Sequence, residues 1–167
     1  MGEQANLSRD EAIEKIRHIA KGEIAMLHTC DELSRGSARP MGTSGIDDDG
    51  TVWFMSKAGS AKNRQLQGNP KAQLTYSVQS RSEYLTLEGE ATLVRDPRKI
   101  DELWTVFAKT WFPEGKEDPS ITLIRFVPTS GHYWDTKHNK MVQLLGMVVG
   151  AVTGKETDDG IEGDVRI

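Results

Sequence analysis

Ala72-Gln73-Leu74-Thr75-Tyr76-Ser77-Val78 and, a short turn later, Leu85-Thr86-Leu87-Glu88-Gly89-Glu90-Ala91-Thr92-Leu93 alternate apolar and polar residues. A period of two places successive side chains on opposite faces of a strand, so each run buries one face and exposes the other. The second run is long for a strand, and Gly89 inside it points to a bulge or bend. This pair sets the expectation of a β-rich fold. Outward from it, residues 24–30 and 51–56 read as further strands, and Asp47-Asp48-Asp49-Gly50 reads as a hairpin turn before the second of them.

Helices punctuate the strands. Ser8 and Glu11 form a capping box, and Ala12, Ile13, Ile16, Ile19 and Ala20 then recur at helical spacing, which predicts a helix over 9–21. Ser60 caps a short helix to about residue 67, ended by Gly68-Asn69-Pro70. Asp96 as cap and Pro97 at the first helical position open another, with Ile100, Leu103, Trp104, Phe107 and Ala108 as its expected buried stripe and 111–115 as its end. Strands are expected at 121–127 and 131–135, separated by Pro128-Thr129, and Met141, Leu144, Leu145, Val148 and Val149 mark a last amphipathic helix. Roughly six strands with helices outside suggest a mainly β, closed or nearly closed barrel. It forms one domain over 1–154, followed by a loose acidic tail, 155–167, with a short strand at most.

The 167 residues carry 37% hydrophobic and 28% charged side chains and a formal charge of −4, which argues against a protein that binds nucleic acid by neutralising its phosphates. Cys30 is the single cysteine, so no internal disulfide forms and no zinc spacing exists. The polar N-terminus and the short apolar run at 147–152 supply neither a signal segment nor a membrane span. A cytoplasmic location is the expectation.

Most catalytic signatures are missing. The aspartate turn lacks the carboxylates a calcium loop needs at positions 45 and 56, which are Gly45 and Ser56. His18, His28, His132 and His138 lack metal spacing and read as solvated or packed, so no metal is expected. Neither a nucleophile elbow nor a Gly-rich nucleotide loop occurs. One phosphate site survives. Ser60-Ala61-Lys62 begins a helix, which brings backbone N–H groups, a hydroxyl and an ammonium together at its positive end. Arg39, on the strand before the hairpin, can add a guanidinium fork. Taken alone, both cations read as solvated surface charges. Of the tryptophans, Trp104 suits the core, whereas Trp111 and Trp134, at element ends, suit a flat ring ligand or a partner subunit.

The order of these pieces narrows the reading. Arg39-Pro40-Met41, Val52-Trp53-Phe54-Met55-Ser56, Ser60-Ala61-Lys62, Asn69-Pro70, then the strand from Tyr84 and Asp96-Pro97, resemble the pyridoxamine 5'-phosphate oxidase-like split barrels that bind flavin mononucleotide (FMN). Leu103-Trp104, Trp111-Phe112-Pro113-Glu114-Gly115 and Tyr133-Trp134-Asp135 resemble the general stress protein 26 branch. The resemblance implies a six-stranded split barrel with FMN in the cleft of a homodimer. It implies that Arg39, Ser60 and Lys62 hold the phosphate, that Met41, Phe54, Met55 and Ser56 lie along the ribityl chain and ring, that Tyr84 stands where the oxidases use a ring-contacting glutamine, and that Trp134 reaches the flavin from the second subunit. Two departures stand out: Ala61 replaces the middle arginine of the oxidases' phosphate turn, and the stretch after Trp134 has no Arg-x-His. Vitamin B6 oxidation is therefore not expected.

The reading reached is an FMN-binding flavoprotein of the general stress type, an oxidoreductase with no assignable acid or base. The rivals are a non-catalytic flavin carrier and an interaction barrel with no cofactor. Flavin adenine dinucleotide (FAD) or a deazaflavin are the alternative cofactors.

Overall fold

The computed structural model describes residues 3–31, 33–136 and 160–167. In chain order the strands are β1 (Glu3–Gln4), β2 (Ile24–Cys30), β3 (Gly36–Gly42), β4 (Gly45–Ile46), β5 (Val52–Lys57), β6 (Lys71–Val78), β7 (Glu83–Val94), β8 (Ile121–Thr136) and β9 (Gly160–Arg166). The helices are α1 (Arg9–Ala20), α2 (Ala61–Gly68) and α3 (Pro97–Leu103), with a 3-10 turn at Val106–Thr110. The strands join one sheet in the order β1-β9-β8-β7-β6-β2-β3, and β5 pairs with both β8 and β4. The pairing is antiparallel except between β1 and β9. The architecture is a mainly β, antiparallel split barrel with peripheral helices.

The sheet has more strands than the six expected, partly because β1 and β4 are only two residues long. The segments 121–127 and 131–135 are one 16-residue strand, β8. Gly89 faces Pro128 while Glu88 faces Ser130, which leaves Thr129 as the extra residue of a bulge. Proline gives no N–H to a ladder and is accommodated at such a bulge. A Cβ on Gly89 would lie 2.2 Å from the Val127 carbonyl oxygen, so the close approach requires glycine.

The bulge also splits the sheet. Residues 121–126 of β8 pair with β5, and residues 130–136 pair with β9. One path ends at β3 and the other branches to β5, and these two edges share no ladder. Strand β9 lies in the segment expected to be a loose tail. It buries Val165 fully and aligns with seven residues of β8, because an edge of unpaired N–H and C=O groups can be satisfied by another strand. The amphipathic pattern at 141–149 lies outside the described residues.

Inward-facing Leu27, Phe54, Leu74, Tyr76, Leu85, Leu87 and Phe126 fill the barrel, and α1 closes it with Ile16 and Ile19. Each such side chain contributes roughly 1.5–3 kcal/mol by leaving water. The Glu11 carboxylate accepts from the Ser8 N–H at 2.9 Å and the Ser8 hydroxyl at 2.7 Å, which caps α1. A second cluster, Trp53, Ile100, Leu103, Phe112, Ile121 and Leu123, lies beneath α3. That helix stops at Leu103 rather than continuing through Phe107. Trp104 and Thr105 are extended, and an aromatic followed by β-branched Thr105 and Val106 favours helix poorly. The break turns Phe107 outward, so the expected stripe ends early; Phe107 is 84% exposed.

Candidate functional site

A cavity of about 780 Å³ opens along the split between β3 and β5. One wall is β3 and the chain after it, Arg39 to Ser44; a second is β5 and the start of α2, with Met55, Ser56, Lys57, Ser60 and Lys62; a third is Leu103, Thr105, Phe107, Ala108, Trp111 and Phe112. Its size lies within the range of roughly 300–1,000 Å³ typical of small-molecule sites. Among the described residues, all the charged ones lining it are cations: Arg39, Lys57 and Lys62.

The β5–α2 corner is fixed by buried polar groups. Ser56, 2% exposed, donates to Asn63 Oδ1 at 2.7 Å and lies 3.4 Å from the Ser60 hydroxyl. Ser60 caps α2 by accepting the Asn63 N–H at 3.4 Å. The N–H groups of Ala61 and Lys62 lie in the first turn, where no helical acceptor exists, and the positive end of the helix dipole faces the same place. Among the described residues, the Lys62 ammonium has neither a carboxylate partner nor a hydrogen bond. Burial first, and the Arg39 charge second, hold the Lys62 ammonium below the ordinary lysine value. Like charges sharing a partly dry wall favour the arrival of an anion.

Arg39 is bound differently from the fork expected of it. Its Nη1 donates to the Leu27 carbonyl oxygen at 3.0 Å and to Thr29 Oγ1 at 2.6 Å; its Nη2 donates to Gln65 Oε1 at 3.0 Å and to Ser37 Oγ. Four of its five N–H donors are thus used inside the chain. Its positive charge stands at the cavity wall, but two parallel bonds from its Nη atoms to a phosphate would require breaking this set. Thr29 and Gln65 were not singled out in the sequence. The available signal was a threonine at an inward position of a strand whose other inward residues are Ala25 and Leu27.

Of the nine residues assigned by resemblance, the cavity brings together Arg39, Met41, Met55, Ser56, Ser60 and Lys62. Phe54 corrects the assignment: it is fully buried in the barrel core and does not line the cavity. The alternation of β5 turns it inward with Val52, while Met55 faces the other way. Tyr84 and Trp134 also lie off this cavity. They are cross-strand neighbours, 42% and 40% exposed, on the outer sheet face that carries Met26. Trp111 does line the cavity and is 70% exposed. His132 lies 3.0 Å from Asp164 and 3.5 Å from Glu162. Among the described residues, no group of three or more His, Cys, Asp or Glu is placed to hold a metal, and no helix is long and apolar enough to cross a membrane.

The lining of the cavity suits a flavin phosphate. A dianion needs cations, hydrogen-bond donors and room for what it is attached to, and the cavity has all three.

Comparison with known proteins follows the same direction. The family described as pyridoxamine 5'-phosphate oxidase like matches residues 11–158. A curated relative, Protein bli-3 of Neurospora crassa, is 24% identical over 170 residues, covering 91% of this chain and 80% of the relative. A crystal structure assigned to general stress protein 26 from Jannaschia sp. CCS1 superposes with a TM-score of 0.78 at 25% identity, covering 94% of this chain and 96% of that one. A general stress FMN/FAD binding protein from Xanthomonas citri superposes with a TM-score of 0.66 at 22% identity, covering 79% and 93%. This chain belongs to the pyridoxamine 5'-phosphate oxidase-like family, its structural neighbours being general stress protein 26 proteins.

Proposed function

We propose that the chain is an FMN-binding flavoprotein of the general stress type that works as an oxidoreductase. One observation carries the reading. Lys62 and Arg39 face one cavity at the opening turn of α2, and among the described residues no carboxylate lines it. Such a wall suits a phosphate monoester with close to two negative charges. Met41, Met55, Leu103 and Phe112 offer apolar surface for a flat ring beyond it.

When bound, the flavin supplies hydride or electron transfer. The protein's own groups bind and orient. Lys62 supplies an unpaired ammonium, Arg39 a fixed charge, and the α2 turn backbone N–H groups, while Ser56 and Ser60 hold that corner in place. No side chain of the cavity is assigned as an acid or base.

The reading includes a homodimer. Ile24, Met26, Tyr84 and Trp134 are exposed on one sheet face, where a second copy would exclude water from them. The reading gives Trp134 the role the family resemblance implies, reaching the flavin from the second subunit.

The test is flavin titration of the purified chain, together with its sedimentation. FMN at about a hundred times its Kd should stabilise the fold by about 2.7 kcal/mol, or roughly 5–10 °C in Tm for a chain of this size. Riboflavin, which lacks the phosphate, should bind more weakly. Reduction of the bound flavin by a nicotinamide donor, with reoxidation by an added acceptor, separates an oxidoreductase from a carrier. A chain that gains no stability from FMN overturns the reading.

A further inference from the structure

The amide of Gln65 makes an unusual set of contacts. Its Oε1 accepts from Thr29 Oγ1 at 2.6 Å, from Arg39 Nη2 at 3.0 Å and from Ser37 Oγ at 3.2 Å. The orientation of the amide is forced, because a guanidinium has only hydrogens to offer. Thr29, 1% exposed, closes the set: its hydroxyl gives its proton to Gln65 and accepts one from Arg39 Nη1. Three elements, β2, β3 and α2, therefore meet at one side chain.

Gln65 also lies three residues after Lys62 on the same short helix, a spacing that puts the two side chains on neighbouring parts of one face. The contact from Gln65 to Arg39 consequently sets where β3's cation stands relative to α2's cation. A long arginine left to itself loses considerable rotamer entropy on being fixed. Here internal acceptors fix it beforehand, so a ligand need not.

We propose that Gln65 and Thr29 are positioning residues for the anion end of the cavity, holding the Arg39 guanidinium as an immobile positive charge beside Lys62. This rests on the flavin reading above. Arg39 then acts through its field, and direct phosphate contact falls to Lys62 and the α2 turn. A bland alternative exists, in which the network only ties β2, β3 and α2 together. The two differ in what they do to the phosphate. A structural tie affects all ligands of the cavity alike, whereas a charge-positioning device affects only the ligand that carries the phosphate.

The experiment measures Kd for FMN and for riboflavin by flavin fluorescence in the wild-type chain and in Thr29→Val, Thr29→Ser and Gln65→Glu. Thr29→Val keeps the shape and removes the hydroxyl, and Thr29→Ser restores it. Gln65→Glu keeps the acceptor and adds a negative charge next to Arg39. The expected result is that Thr29→Val lowers the preference for FMN over riboflavin by about tenfold, the scale of one loosened charged hydrogen bond. Gln65→Glu should lower it further, and Thr29→Ser should keep it. Riboflavin affinity should stay constant across the set. If Thr29→Val does not fold, Gln65→Leu, at a half-buried helix position and without added charge, decides in its place, with the same loss of preference expected. An unchanged preference, or equal weakening for both flavins, overturns the inference while leaving the flavin reading intact. A wild-type chain with no preference for FMN overturns both.

Discussion

The β5–α2 corner and the 103–112 segment line the same cavity, but one is buried, polar and bonded to itself while the other is apolar and largely open. In the corner, Ser56 and Asn63 are almost fully buried and hydrogen-bonded to each other. In the segment, the 3-10 turn buries none of its residues, and Val106, Phe107 and Trp111 stand exposed. Buried polar groups that are fully satisfied hold one geometry, whereas a short 3-10 turn with few anchors is free to adjust. The fixed wall therefore suits the constant part of a ligand, its phosphate. In the proposed flavin reading, the open wall suits whatever meets the ring.

Removing the charges of the fixed wall should do the most. Arg39→Ala with Lys62→Ala deletes one direct charged hydrogen bond of about 1.5–3 kcal/mol together with the field of a second cation, so FMN affinity should fall roughly a hundredfold or more while riboflavin affinity holds. Isothermal titration with both flavins checks this, and equal loss for both would erase the distinction between the walls.

Alkaline pH offers a gentler route to the same wall. Lys62 in the free chain titrates below the ordinary lysine value of 10.5, through burial first and the Arg39 charge second. A bound phosphate favours the protonated ammonium and so raises its pKa. Affinity is therefore full below the free-state pKa and declines as pH climbs through it, by up to about tenfold per unit until the bound-state pKa is passed. The FMN-to-riboflavin ratio, followed upward from neutral pH, should bend downward before 10.5, and Lys62→Ala should flatten the curve.

Ser60→Ala sharpens the comparison at the level of stability. Loss of an N-cap costs about 1 kcal/mol, which is roughly 2–4 °C in Tm for this chain length; calorimetry without ligand reads it directly. Phe107→Ala, on the open wall, should shift the same Tm least, within about 0.5 kcal/mol, as exposed positions do. It should leave the phosphate preference untouched. A large Tm loss there would mean that the turn is anchored after all.

Much of the fold was legible because its signals are local. The capping box at Ser8, the Asp96-Pro97 helix start, the alternation on either side of the 79–82 turn and the bend at Gly89 each depend on residues within a few positions of one another. The candidate site was legible in part. Ser60 and Lys62 follow from a helix start, and Arg39 and the β5 residues came from the order of motifs. Phe54 was misplaced, because adjacent residues of a strand share a sequence context while facing opposite sides. Phe107 was misplaced because a helical stripe does not reveal the turn at which a helix gives way. Gln65 and Thr29 went unseen, since each is ordinary where it stands.

From the sequence alone came a mainly β chain with capped helices, without metal or hydrolase motifs, and with a cation-bearing helix start suited to phosphate. The tertiary structure alone decided that β3 and β5 end as facing edges with no ladder between them, that Arg39 has its donors turned inward, and that Tyr84 and Trp134 share the outer face. The reason is range. Periodicity and capping act over one or two turns of chain, whereas the split, and the charges that meet across it, depend on strands far apart in sequence arriving side by side.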